Sequence, residues 1–101
     1  MAKQHFFLRL VPPRPSFPHD ITDAERSLMW AHAAYTKQQF DAGRILIYGP
    51  VIAATDSFGM AVLEVADEAE ARSIMDADPS VVGGLNRYEL TPMRVAAARA
   101  S

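Results

Sequence analysis

Apolar and polar residues change their spacing along the chain in a way that predicts four strands and two helices. Thr22 and Glu25 have the spacing of a capping box, which starts a first helix that ends near Ala42. Asp67 is placed to cap a second helix over residues 68–77. Segments rich in aromatic, β-branched and aliphatic residues predict strands at residues 5–11, 44–53, 58–65 and 85–95.

Proline and glycine indicate where these elements end. Residues 12–21 contain four prolines, which predict a stiff, extended loop. Gly49-Pro50 is expected to break the second strand, and Asp78-Pro79 to end the second helix, because proline disfavours helical geometry in the residue before it. Gly83-Gly84 is expected to form a flexible connection, and residues 96–101 a frayed tail.

The predicted order is βαββαβ, which is the order of the ferredoxin-like fold. In this α+β architecture a four-stranded antiparallel sheet carries both helices on one face. Successive side chains of a strand point to opposite faces of the sheet. The residues expected to face the helices are Phe6, Leu8 and Leu10 in the first strand and Asn86, Tyr88 and Leu90 in the fourth.

The second strand has large apolar residues in both of its alternating sets. One set contains Leu46 and Tyr48, and the other contains Ile45, Ile47 and Val51. A sheet that is apolar on both faces must be covered on both faces. Because both helices cover one face, we expect a homodimer that packs sheet on sheet through the other.

Composition limits the class of protein. The 101 residues are expected to form one domain over residues 1–101, and 50% hydrophobic and 22% charged residues exclude a disordered or collagen-like chain. A net charge of −2 argues against nucleic acid or an anionic membrane as the main partner. No apolar stretch approaches the roughly 18 residues of a membrane span, and cysteine is absent, so a cytoplasmic location is expected.

His32 is the first candidate for chemistry. It shares a stripe of the first helix with Leu28 and Tyr35, at or beside the buried face. A partly buried imidazole with a carboxylate partner holds one tautomer and can act as a base near neutral pH. The alternative is a histidine at the edge of the core that is bonded to a backbone carbonyl.

Asp78 is the second candidate, and its alternative is an ordinary helix stop before proline. The three histidines are separated by 14 and 13 residues, which matches no metal-site spacing, and no nucleotide-binding or serine-hydrolase motif is present. We therefore expect neither a metal nor a cofactor.

Four further residues are candidates for substrate binding. Arg9 and Arg14 could bind a substrate carboxylate or phenolate, although a solvated arginine is the simpler interpretation of each. Tyr35 and Tyr48 are possible hydrogen-bond donors to a pocket, as a cofactor-free oxygenase would need.

Eight short segments together resemble one family and follow its order. They are residues 14–18 (RPSFP), 32–35 (HAAY), 42–44 (AGR), 49–50 (GP), 58–59 (FG), 68–72 (EAEAR), 78–79 (DP) and 92–94 (PMR). The chain resembles the YCII-related proteins, which are small dimers of the ferredoxin-like, dimeric α/β-barrel type. Ser80 stands where many relatives have an aromatic residue, and Tyr48 stands where a small residue is common.

The resemblance implies an active site that pairs His32 with Asp78. It leads us to expect a cofactor-independent enzyme with lyase- or isomerase-like chemistry on a small cyclic or aromatic molecule. His32 would act as general base or acid, and Asp78 would orient the imidazole. The alternative is a non-catalytic module that binds a metabolite or regulates a partner. A large separation between the two side chains would favour that alternative.

Overall fold

Within residues 2–99, which the computed structural model describes, the chain forms four strands and three helices. The strands are β1 (Gln4–Val11), β2 (Ile45–Val51), β3 (Phe58–Val65) and β4 (Arg87–Met93). The helices are α1 (Asp23–Asp41), α2 (Glu68–Asp76) and α3 (Pro79–Val82). The strands pair antiparallel in the order β2-β3-β1-β4, which confirms the predicted ferredoxin-like α+β fold.

The helix-facing side of β1 carries the centre of the core. Phe6, Leu8 and Leu10 are buried there, as their alternation predicted. They pair with the helix-facing positions of β3, from Leu63 to Gly59. A β-carbon on Gly59 would lie 3.3 Å from the β-carbon of Leu10, so this position favours glycine where the two strands meet.

Helix α1 begins at the predicted capping box. The Thr22 hydroxyl accepts from the Glu25 backbone N–H, and the Glu25 carboxylate accepts from the Thr22 backbone N–H. The chain leaves the helix through Gly43, whose φ of 81° suits glycine. Every residue of α1 keeps some exposure, because the space between this helix and the sheet is a cavity.

The predicted break of the second strand at Gly49-Pro50 is wrong. Strand β2 runs through both residues to Val51, and Pro50 pairs with Gly59. Strand β2 is at the edge of the sheet and pairs only with β3. Proline is tolerated there because an edge strand has no neighbour on its other side that would need the missing N–H.

The irregularity in β2 lies earlier, between Ile45 and Ile47. The extra residue there changes which side chains share a face. Ile45 and Tyr48 both lie on the helix-facing side, and Ile47 lies on the opposite face, so the two alternating sets expected for this strand are mixed.

The turn after α2 also differs from the prediction. Helix α2 already ends at Asp76, and Asp78 begins the short helix α3, with Pro79 in its first turn. Proline suits this position because the first N–H groups of a helix have no partner within it. Gly83 caps α3, so Gly83-Gly84 closes a helix, and it is not simply a flexible connection.

The C-terminal segment contains no regular element where it is described. Residues 94–99 form neither helix nor strand, while residues 100 and 101 of the predicted tail lie outside the described residues. No helix within residues 2–99 is long and apolar enough to cross a membrane.

Candidate active site

A cavity of about 460 Å³ lies between α1, the helix-facing side of the sheet and the loop of residues 12–21. Most of its wall is aliphatic, aromatic or proline side chains, which is typical of a small-molecule site. The polar side chains of this wall are His32, Tyr35, Thr36, Gln39, Tyr48, Ser57, Asp78 and Asn86.

His32 and Asp78 meet in this cavity although they are 46 residues apart in the chain. The Nδ1 atom of His32 lies 2.7 Å from Oδ2 of Asp78. An ionised carboxylate only accepts hydrogen bonds, so Nδ1 carries the proton and donates it. In the neutral imidazole, Nε2 then has the free lone pair. The pair has the arrangement of a base and the group that orients it.

Asp78 is held in place by the start of α3. Its side chain is 1% exposed, and Oδ1 accepts from the Ser80 backbone N–H at 2.8 Å and from the Ser80 hydroxyl at 2.9 Å. Burial raises the pKa of Asp78, but the hydrogen bond and charge of His32, with the two bonds from Ser80, bring the pKa below its ordinary value. The carboxyl group therefore stays ionised while it orients the ring.

Ser80 holds the Asp78 carboxylate, and the sequence did not single it out. It stands where many relatives have an aromatic residue, and it is fully buried and gives both of its donors to Asp78. Its carbonyl also accepts the backbone N–H of Leu85 and of Asn86, each at 3.0 Å. The signal for it was the sequence Asp-Pro-Ser, because a helix-capping aspartate accepts from the residue two positions later.

The two candidate tyrosines both lie on the cavity wall, but their side chains make different contacts. The Tyr35 hydroxyl donates to the Ile74 carbonyl at 2.6 Å, and burial, followed by the charge of Asp78, raises its pKa. Tyr35 therefore links α1 to α2 as a neutral phenol. Tyr48 is half-exposed, and its ring meets the ring of Phe40 edge-on at 5.6 Å.

The structure does not bring the two candidate arginines to the cavity. Arg9 lies on the opposite face of the sheet, with its guanidinium 4.1 Å from the centre of the Phe58 ring. Arg14 binds Glu25 through both terminal nitrogens, at 2.7 and 2.8 Å, and Asp20 through Nε at 3.0 Å. These partners occupy the guanidinium that was a candidate for substrate.

Arg14 instead fastens one wall of the cavity. The side chains of Pro12, Phe17, Pro18 and Ile21 line the cavity from the loop that Arg14 ties to the start of α1. The Arg14 hydrogen bond, together with the Thr22 N–H, lowers the pKa of Glu25 to about 2. The ion pair between Arg14 and Glu25 is therefore fully charged at neutral pH.

Replacing Arg14 with methionine should loosen this loop. We expect the amides of Phe17, His19 and Ile21, which bond to loop carbonyls, to exchange with deuterium roughly threefold to tenfold faster, because the loop loses its tie to α1. Lys37→Met is the matched control, since it removes an ion pair with Asp41 within α1. Equal deuterium exchange of these loop amides in both variants would contradict this role of Arg14.

Comparison with known proteins gives the family. A model described as the YCII-related domain matches residues 5–94. The chain belongs to the YCII-related family. The fold of this YCII-related chain is similar to that of 5-chloro-2-hydroxyhydroquinone dehydrochlorinase from Burkholderia phenoliruptrix AC1100, solved in complex with 2,5-dihydroxybenzoquinone. The TM-score is 0.67 at 18% identity, over 93% of this chain and 95% of that chain.

No protein with a curated description matches this YCII-related chain. Within residues 2–99, no three histidine, aspartate or glutamate side chains are grouped so that they could hold a metal ion.

Proposed function

We propose that the chain is a cofactor-independent enzyme that transfers a proton on a small cyclic or aromatic molecule. The observation that carries this proposal is the 2.7 Å bond between His32 and Asp78 on the wall of an apolar cavity. A separation of the two side chains would have favoured a binding module. Their contact, with one imidazole nitrogen left over, favours acid–base chemistry.

His32 is the proposed general base and acid. Its Nε2 takes a proton from the substrate, and the ionised Asp78 stabilises the imidazolium that results. In a lyase-type reaction, the electron pair left by that proton expels a leaving group such as chloride. In an isomerase-type reaction, the same proton returns to a different atom. The dehydrochlorinase with the similar fold supports the lyase-type reaction.

Of the two tyrosines, we assign substrate contact to Tyr48. No hydrogen bond joins its hydroxyl to another side chain or backbone group within residues 2–99, whereas the Tyr35 hydroxyl is held by Ile74. Tyr48 also stands next to Gly49, where the backbone of β2 lines the cavity. Arg9 and Arg14 have no part in the proposal, because neither lines the cavity.

The proposal is tested by offering the chain neutral chlorinated hydroquinones and small lactones. Chloride release measures the lyase-type reaction, and exchange of substrate protons with deuterium, followed by NMR, measures the isomerase-type reaction. Turnover that depends on His32 supports the enzyme. Tight binding of these compounds without turnover or exchange would identify the metabolite-binding module.

A second part of the proposal is a homodimer formed through the open face of the sheet, the face opposite the helices. Its apolar side chains include Phe7, Ile47, Val62 and Met93. Ile47 is 56% exposed, and Met93 is also exposed. A second copy of the same face is the simplest surface of matching shape and polarity that could cover them.

Replacing Ile47 with glutamate should separate the dimer. We expect light scattering to give about twice the 11.1 kDa chain mass for the wild type and the single mass for Ile47→Glu, because an unpaired charge in an apolar interface is strongly unfavourable. Trp30→Glu is the matched control, since Trp30 is 74% exposed on α1. A monomeric wild type, or a dimeric Ile47→Glu chain, would contradict the proposal.

A further inference from the structure

Asn86 is a buried amide on the cavity wall, immediately before β4. Asn86 is 6% exposed, and it lines the same cavity as His32 and Asp78. Its backbone N–H bonds to the Ser80 carbonyl at 3.0 Å, and the same serine holds Asp78 through its N–H and hydroxyl. One short helix therefore positions both the carboxylate of the pair and this amide.

The side chain of Asn86 has unused hydrogen-bonding capacity. A primary amide offers two N–H donors and a carbonyl acceptor. Within residues 2–99, the amide makes one hydrogen bond, from Nδ2 to the thioether sulfur of Met29 at 3.4 Å, and sulfur is a weak acceptor. The amide oxygen accepts no hydrogen bond there, yet it is not sealed from solvent. Desolvating such a group is unfavourable unless a partner arrives.

We infer that Asn86 is a substrate-binding residue that holds an oxygen substituent of the substrate while His32 exchanges a proton at another. This inference rests on the proposed function and specifies its substrate. The substrate would be a neutral ring with two oxygen functions, one facing Nε2 of His32 and one facing the Asn86 amide. The amide is suited to either oxygen type, because it can donate to a carbonyl and accept from a hydroxyl.

The surroundings of Asn86 favour a neutral substrate. The wall between the polar groups is apolar, so an ionised ligand would lose its hydration there without compensation. The buried Asp78 is itself ionised, and its charge opposes a second anion in the same cavity. A neutral amide discriminates by hydrogen bonding, without adding charge of either sign.

Binding of simple aromatic probes tests the role of Asn86 without any need for turnover. Dissociation constants would be measured by NMR titration for phenol and for catechol, resorcinol and hydroquinone. We expect at least one dihydroxybenzene to bind the wild type about tenfold more tightly than phenol, because it adds a hydrogen bond in a desolvated site. In Asn86→Leu this advantage should fall to about twofold or less.

Matched variants separate the amide from its surroundings. Met29→Leu removes the sulfur but keeps the amide, so it should retain the advantage of the dihydroxybenzene. Asn86→Ala repeats the comparison if Asn86→Leu does not fold. Benzoate should bind the wild type at least about tenfold more weakly than benzamide. An unchanged advantage in the folded Asn86 variants, or equal binding of benzoate and benzamide, would overturn the inference.

The failure of this inference can be distinguished from the failure of the proposed function. If the Asn86-dependent advantage is found but no compound is turned over, the substrate contact stands and the catalytic proposal falls. If turnover depends on His32 while the advantage survives in Asn86→Leu, the catalytic proposal stands and the role of Asn86 falls.

Discussion

Replacing His32 with glutamine should lower turnover by about 10²–10⁴-fold, which is the usual contribution of a positioned acid–base group. Glutamine can fill much of the same space and still bond to Asp78, but it has no nitrogen that accepts a proton near neutral pH. The loss should therefore appear in kcat, with a smaller change in KM. Steady-state kinetics on the best substrate of the panel measure both values.

The chain provides a matched control for His32. His5 forms the second histidine–carboxylate pair, with Nε2 lying 3.0 Å from Glu64, but His5 is outside the cavity. His5→Gln should leave turnover within about twofold, provided that light scattering shows the wild-type mass. Circular dichroism should show that both variants are folded. Wild-type turnover in a folded His32→Gln chain would remove His32 from the reaction.

The sequence was sufficient to predict the order of the strands and the position of His32, one residue of the candidate site. Alternation placed Phe6, Leu8 and Leu10 on the core side of β1, because side-chain direction in a regular strand depends only on residue parity. Parity failed in β2, where the irregularity after Ile45 shifts the following residues to the other face. A single extra residue of this kind has no clear signature in an apolar strand.

Spacing within the helix gave His32 a position at the edge of the core, but it did not give its partner. A pair 46 residues apart is joined by the packing of α1 against α3, and the helix α3 was not predicted. The resemblance to the family supplied Asp78 instead. Ser80 was missed as a candidate site residue because a small polar residue after Asp-Pro is usually exposed. Asn86 was expected to face the helices from the fourth strand, but alternation gives a direction and no role.

Replacing Asp78 with asparagine should be as damaging to catalysis as removing His32, although only one atom changes. The Ser80 backbone N–H can only donate, so the asparagine must turn its amide oxygen towards Ser80 to accept this hydrogen bond. The amide N–H₂ then faces Nδ1 of His32, which must accept and so releases its proton to Nε2. The lone pair assigned to the base is lost, and turnover should fall by about 10²–10⁴-fold.

The imidazole tautomer gives a direct readout of this effect. When the imidazole is neutral, nitrogen NMR of the wild type should show the His32 proton on Nδ1. In Asp78→Asn, the same measurement should show the proton on Nε2. Asp76→Asn is the matched control, because Asp76 is exposed, lies two residues away and bonds to Tyr88. A normal tautomer and normal turnover in a folded Asp78→Asn chain would exclude the orienting role.

Stability should follow pH in the direction set by the lowered pKa of Asp78. A carboxyl group whose pKa is lower in the folded chain than in the unfolded chain stabilises the fold above the unfolded value, about 3.9, and this contribution is lost as the pH falls towards the folded value. Asparagine does not titrate. At pH 7, urea unfolding should therefore find Asp78→Asn less stable than wild type by about 1–3 kcal/mol. The gap should narrow as the pH falls below about 4, because the unfolded wild-type chain then binds a proton at Asp78 more readily than the folded chain does, whereas asparagine binds none in either state.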